Sequence, residues 1–320
     1  MGLAICYRIM ERHGQHIRLI GGEGGAEIES PWKRAKTPED SMEIQARAKI
    51  NWTLNVTGKR PDGYHLLDML MQPIALHDIL CIEEAEGLSL TVEGMDGLSA
   101  GDDNLVLRAA RTLQALVGIS KGAQMHLVKR IPMGAGLGGG SADAAAALKG
   151  LNKLWGIGLD LPALCRIGER LGADIPFCLH DAPRRAQGIG EILTPMESGV
   201  FPLILLQPCA ALSTKEVFTA YHASADIVPA DTEKALAALQ AGDLNALRAC
   251  GGNVLESASI PLRPPIAEAK EALYRSGAAF AQMTGSGSVV FGAYETAAQA
   301  QRAYDLLKDR YSPCILTETA

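Results

Sequence analysis

The chain has 320 residues and is 48% hydrophobic, enough for a sizeable core and for more than one domain. Its 30 Lys and Arg against 36 Asp and Glu give a net charge of −6, which argues against a nucleic-acid partner, because phosphate backbones select basic proteins. An anionic ligand must therefore be met by locally placed cations and N–H groups.

Residues 1–41 read apart from the rest. Arg8, Arg12, His13, His16 and Arg18 precede a glycine cluster over 21–25, and Pro31 and Pro38 flank a basic stretch. The segment has no continuous apolar run of the kind a signal peptide needs, and Cys6 stands where a myristoylation signal requires Ser or Thr. It is expected to be a mobile extension without chemistry, with Met42 opening the ordered chain.

From Glu43 to Val56 the pattern alternates: Ala48, Ile50, Trp52, Leu54 and Val56 against Lys49, Asn51, Thr53 and Asn55. This predicts a strand with one apolar and one polar face, the polar face being either solvated or the wall of a cleft. Residues 57–65, ending in Tyr64 and His65, read as a turn-rich loop, and 66–83 as further strand interrupted at Pro73. Asp103 is expected to cap an amphipathic helix running to Leu116.

The glycine-rich stretch Ile131 to Leu148 follows a predicted strand (125–131) and runs into a helix whose apolar stripe is Ala144, Leu148, Leu151 and Trp155. Glycines bring backbone close to a ligand, and the free N–H groups of a helix start attract anions, so the stretch reads as a phosphate loop with Ser141 capping the first turn. Two common loop types fit poorly. Gly134, Gly136 and Gly139 satisfy the dinucleotide spacing, and Asp160 lies at a suitable distance, but 153–159 does not read as the second strand that fingerprint needs. Gly134, Gly139 and Ser141 also match a P-loop, but Gly140 replaces its lysine.

A further helix is predicted from Asp160, with Pro162 near its start and Gly172 at its end, after which Pro176 is expected to force Ile175 into an extended conformation. Asp174 would then lie between a helix end and a strand. Beyond it come a strand over 200–206, helices near 213–222, 231–250, 254–259 and 265–276, the stretch 277–283, the tract Thr284–Ser288, a strand over 289–293, a helix over 295–308 and a last strand near 314–317. The apolar run at 200–206 is interrupted by Pro202 and is too short to span a membrane. Seven scattered cysteines without C-x-x-C pairing suit a reducing cytosol with buried thiols and no zinc site.

Three stretches together, Ala46 to Asn51, Pro132 to Ser141 and Met283 to Gly287, resemble the three motifs of the GHMP kinases, in order and spacing. The tract Lys49 to His65, with Leu171 to Phe177 and Gly188 to Pro195, is similar to the branch of that family that acts on a cytidine-diphosphate-linked methylerythritol. The resemblance covers residues 46–320. It implies an α+β GHMP kinase fold: a ribosomal-protein-S5-like N-terminal domain (42–198) that binds ATP, and a ferredoxin-like C-terminal substrate domain (199–320). It further implies ATP-dependent phosphorylation of the 2-hydroxyl of 4-diphosphocytidyl-2-C-methyl-D-erythritol in non-mevalonate isoprenoid synthesis, with no nucleic-acid or membrane partner.

Carried over by position, Asp174 is the implied catalytic aspartate and Lys49 its partner. Asn104, Leu105, Lys129, Pro132, Gly134, Gly136, Gly138, Gly139, Gly140 and Ser141 surround ATP, with Ser141 as ligand to Mg²⁺. Asn51, Tyr64, His65, Phe218, Gly285 and Gly287 face the substrate; Tyr64 and Phe218 bracket the cytosine ring and His65 meets its polar edge. Asp143 stands where some relatives carry asparagine. It could help to hold Mg²⁺ or simply favour the helix start. The competing readings are another small-molecule GHMP kinase, a non-catalytic protein of that fold, and a nicotinamide-dependent dehydrogenase.

Because residues 1–41 lack the apolar periodicity needed to join a core, their removal is expected to leave melting temperature and activity near those of the full chain. A fall of many degrees, or loss of activity, would contradict this.

Overall fold

The computed structural model describes the backbone of residues 18–22 and 25–29 and all of residues 41–320 except 96 and 222–226. Within the N-terminal unit, β1 (Arg18–Gly22) pairs antiparallel with β2 (Gly25–Glu29). The remainder of the expected extension lies outside the described residues.

Residues 42–320 form one compact unit. Two long strands, β3 (Met42–Lys59) and β4 (His65–Ala85), pair antiparallel through a turn closed by Arg60 N–H on the Tyr64 carbonyl at 2.7 Å. Pro73 does not interrupt β4 as expected. It sits where the β3–β4 register shifts, an irregularity that tolerates a residue without an N–H. There β4 also changes neighbours. Leu67–Met71 pair with β7 (Arg184–Gly188), whereas Ile79–Ala85 pair with β6 (Gly122–Val128). The sheet is completed by β5 (Leu88–Glu93) parallel to β6, β8 (Ile192–Pro195) on β7, and β10 (Gly252–Asn253) parallel to β3.

Helices α1 (Leu105–Val117), α2 (Gly139–Leu154) and α3 (Leu161–Glu169) cover this sheet, burying Val106, Leu113, Leu148 and Trp155 against Leu80, Ile82 and Met125. Asn104, not the expected Asp103, caps α1: its side chain accepts the Val106 N–H, while Asp103 accepts from Ser99. Asp160 caps α3 as expected, but that helix ends before Gly172. The next helix, α4 (Ile175–His180), corrects the extended reading of Ile175. Pro176 lies in its first turn, where its missing N–H is of no consequence.

A second, antiparallel sheet runs in the order β11 (Phe280–Met283), β12 (Val290–Ala293), β9 (Pro202–Leu206), β13 (Cys314–Glu318). With it come α5 (Thr214–Ala220), α6 (Thr232–Ala241), α7 (Leu244–Cys250), α8 (Glu256–Leu262), α9 (Pro265–Arg275) and α10 (Ala297–Leu307). The single helix expected over 231–250 is two, because Gly242 ends α6 in a left-handed conformation and Asp243 caps α7. Among the described residues no helix is long and apolar enough to cross a membrane.

Trp52 of β3 joins the two sheets. It is fully buried, edge-on to Phe201 and Phe291 at 5.5 and 5.3 Å, and its Nε1–H donates to Gln72 Oε1 at 2.7 Å. Trp52→Ala is expected to destabilise the protein by about 3–5 kcal/mol in urea unfolding. A change below about 1 kcal/mol, within the range of ordinary surface substitutions, would show that this contact does not hold the sheets together.

Candidate active site

The polar face of β3 is covered, not solvated: Lys49, Asn51, Thr53 and Asn55 are all buried and all have partners. Thr53 Oγ1 accepts the Leu70 N–H at 3.0 Å and Asn55 Nδ2 donates to the Ala230 carbonyl at 2.9 Å. Lys49 and Asn51 stand at the floor of a cavity of about 1360 Å³. Every residue that the sequence singled out for catalysis, nucleotide or substrate lines this cavity.

Asn51 links the floor to the third glycine tract. Its Oδ1 accepts from Lys49 Nζ at 2.8 Å, Gly285 N–H at 3.0 Å and Thr284 Oγ1 at 3.3 Å, and its own N–H donates to Thr284 Oγ1 at 3.1 Å. Asn253 holds the same tract from the other side, donating to the carbonyls of Met283 and Gly285 at 2.9 and 2.8 Å. Lys49 Nζ lies 3.7 Å from Asp174 Oδ2, an ion pair without a close hydrogen bond. Asp174 makes no capping bond to α4, so its carboxylate is left to the cavity.

The phosphate loop crosses above this pair. Lys49 N–H donates to the Leu137 carbonyl at 3.0 Å, and Val289 N–H to the Ala135 carbonyl at 3.2 Å, which fastens the loop to β3 and to the third tract. Gly136 (φ 77°) and Gly138 (φ 71°) have no room for side chains: a Cβ would meet the Thr284 carbonyl oxygen at 2.1 Å and Lys49 Cγ at 3.1 Å respectively. Gly138 itself is the cap of α2, so Ser141 is not the cap that was expected. Ser141 is half-buried, lies in the first turn of α2 and lines the cavity.

Lys129, expected beside ATP, is buried and bonded to Asp143 Oδ2 at 2.7 Å and to Asp78 Oδ2. Burial pushes the Asp143 carboxyl up to about 7; Lys129 opposes the shift and Asp78 adds to it. This accounts for Asp143, whose role the sequence left open: it is an internal partner of Lys129, and Oδ1 is buried without a hydrogen bond.

At the far end of the cavity Phe218 stacks on His65, with ring centroids 4.9 Å apart, and Tyr221 meets His65 edge-on at 6.5 Å. Tyr64 is 61% exposed. Desolvation and the nearby Lys59 charge hold the His65 imidazole below its usual pKa, so at neutral pH it offers one donor and one acceptor.

Asp78, Asn253 and Thr284 were absent from the sequence-derived site. Asp78 is legible only as a lone acid between apolar runs of a strand, and Asn253 follows two glycines with no periodicity to mark it. Their roles come from contacts between segments distant in the chain.

The family model described as GHMP kinases N terminal domain matches residues 104–182, and that described as GHMP kinases C terminal matches 235–312. The chain is 46% identical over 254 residues to a 4-diphosphocytidyl-2-C-methyl-D-erythritol kinase of Pelotomaculum thermopropionicum, covering 77% of this chain and 87% of that one. It is 42% identical over 271 residues to the enzyme of that name from Paramagnetospirillum magneticum, covering 82% and 92%. A crystal structure of 4-(cytidine 5′-diphospho)-2C-methyl-D-erythritol kinase superposes with a TM-score of 0.76 at 33% identity, covering 87% of this chain and 99% of that one. Homoserine kinase from Cytophaga hutchinsonii superposes at 0.68 with 18% identity, over 89% and 96%, a likeness of fold alone.

Proposed function

The chain belongs to the 4-diphosphocytidyl-2-C-methyl-D-erythritol kinases, a branch of the GHMP kinases, and on that premise we propose how its cavity carries out the reaction. The reaction is transfer of the γ-phosphoryl group of ATP to the 2-hydroxyl of 4-diphosphocytidyl-2-C-methyl-D-erythritol, releasing ADP and the 2-phosphate, in non-mevalonate isoprenoid synthesis. The observation that carries the site assignment is the meeting of Lys49 and Asp174 beneath the phosphate loop.

ATP phosphates bind to the loop N–H groups between Gly134 and Gly140 and to the positive end of α2. Asn104, Leu105 and Pro132 flank the nucleotide. Asp174 accepts the proton of the acceptor hydroxyl as the P–O bond forms. Lys49, fixed by Asn51, orients that carboxylate and offsets charge on the transferred group. Phosphoryl transfer has a loose transition state, so this positioning and charge balance account for most of what the protein contributes.

No group of three His, Cys, Asp or Glu side chains that could hold a metal occurs among the described residues. A hard cation that arrives on the phosphates keeps several waters and needs one or two protein oxygens, and the Ser141 hydroxyl fits that part. Mg²⁺ bound there would neutralise charge on the β- and γ-phosphates.

The pyrimidine lies against Phe218 with Tyr64 closing from the exposed side, and neutral His65 pairs with the base edge. Gly285 and Gly287 let the substrate approach the third tract. Residues 42–198 are assigned to the ATP-binding domain and 199–320 to the substrate domain. The protein is assigned to the cytoplasm; the six cysteines among the described residues are free, as a reducing compartment requires.

ADP release should depend on the cytidine-linked substrate. Asp174→Asn is expected to lower kcat by about 10²–10⁴-fold with nearly unchanged ATP affinity, the usual loss for a general base. Methylerythritol phosphate, lacking the cytidine half, should show both lower kcat and higher KM, because remote binding energy fixes the reacting hydroxyl. Equal kcat/KM for the two substrates would overturn the cytidine assignment, and near-normal kcat in Asp174→Asn would overturn the base.

A further inference from the structure

We infer that Asp78, Lys129 and Asp143 form a buried clamp that fixes the phosphate loop at both ends, so that Lys129 serves ATP binding by positioning the loop and not as a free cation. The inference rests on the kinase reading above.

Asp78 belongs to β4 and is 0% exposed. Its Oδ1 accepts the N–H groups of Arg130 and Ile131 at 2.5 and 2.8 Å, where the chain leaves β6 and enters the loop. Its Oδ2 accepts from Lys129 Nζ, which also donates to Asp143 Oδ2 at 2.7 Å. Asp143 lies on α2, where the chain has just left the loop. The entry and the exit of the loop are thus bonded to a single chain of two acids joined by one ammonium.

Five of the eleven residues between these ends (132–142) are glycine, and apart from the buried Ala135 and Leu137 the loop has few side chains with which to hold its own shape. Its backbone must be fixed from outside if its N–H groups are to meet phosphate oxygens in a set geometry. Lys129 is in a position to do this. Its Nζ lies 3.3 Å from where a Cβ on Gly139 would stand, directly beneath the first residue of α2. Two of its three N–H groups are taken by carboxylates, and two acids face its one positive charge. It therefore adds little net attraction for an anion, and placement of the loop is the contribution left to it.

Asp78→Asn conserves shape but turns one acceptor oxygen into an NH₂ group facing N–H donors. In calorimetric titration of the full chain with MgADP, its Kd is expected to rise by about 10- to 100-fold, the loss expected when a charge-assisted hydrogen bond that sets the loop is replaced by a mismatched amide. The Kd for 4-diphosphocytidyl-2-C-methyl-D-erythritol should stay near wild type. Asp143→Asn keeps an amide oxygen for Lys129 and should raise the MgADP Kd by a smaller factor, again without moving the other.

An unchanged MgADP Kd in a folded Asp78→Asn variant would overturn the clamp. A parallel loss of both affinities would do the same, because it marks general loosening. If Asp78→Asn does not fold, Asp143→Asn decides on the same comparison. Wild-type protein that binds both ligands but releases no ADP would instead overturn the kinase reading, and the affinity comparison would still judge the clamp.

Discussion

One carbonyl oxygen on one buried side chain organises this site. Asn51 Oδ1 accepts from an ammonium, a backbone N–H and a hydroxyl, all from Lys49, Gly285 and Thr284. Thr284 Oγ1 in turn lies 3.4 Å from the Gly136 carbonyl, so the strand, the phosphate loop and the third tract meet around this group. Asn51 is 1% exposed, and a buried donor left without a partner costs about 1–3 kcal/mol, so the three donors have strong reason to stay. The same bond explains the Lys49–Asp174 geometry. The ammonium is tied to Asn51 at 2.8 Å and stands 3.7 Å from the carboxylate, near enough to orient it without capping the oxygen proposed to receive a proton.

Charge follows a related logic. The chain carries a net charge of −6, yet the proposed ligands are both polyanions. The two buried lysines of the cavity do not make it strongly positive, because Lys49 is shared with Asp174, and Lys129 with two acids. Anion binding in the proposed reading is then shared between the exposed Lys59 and Lys215 of the cavity lining and oriented N–H groups of the loop and the α2 terminus, which need no counter-charge. Such a device depends on backbone geometry, which is why so many contacts converge on short glycine tracts.

Part of the candidate site was legible because its residues are local in sequence, whereas Asp174, Asn104, Lys129 and Phe218 were reached only through the family resemblance. The glycine loop between strand and helix, the alternation of Lys49 and Asn51 along a strand, and the aromatic pair at Tyr64 and His65 need no tertiary information to be noticed. What could not be read was tertiary. Whether the polar face of β3 meets water or a covering segment stayed open, because alternation alone cannot tell the two apart; the structure makes it the floor of the cavity. Pro73 looked like a break because its tolerance depends on the register shift opposite it. Pro176 looked like the start of a strand because its place in the first turn of a helix depends on where that helix begins. Asp78 was invisible, since its partners lie 51 to 53 residues away.

The central claim, that Asn51 acts on the reaction through Lys49 and the third tract as one unit, is tested most directly by a double-mutant cycle of Lys49→Met and Asn51→Leu on kcat. If the two side chains act as a unit, the double variant should be little slower than the slower single variant. If instead the two losses multiply, Asn51 and Lys49 act independently and the account of the site is wrong.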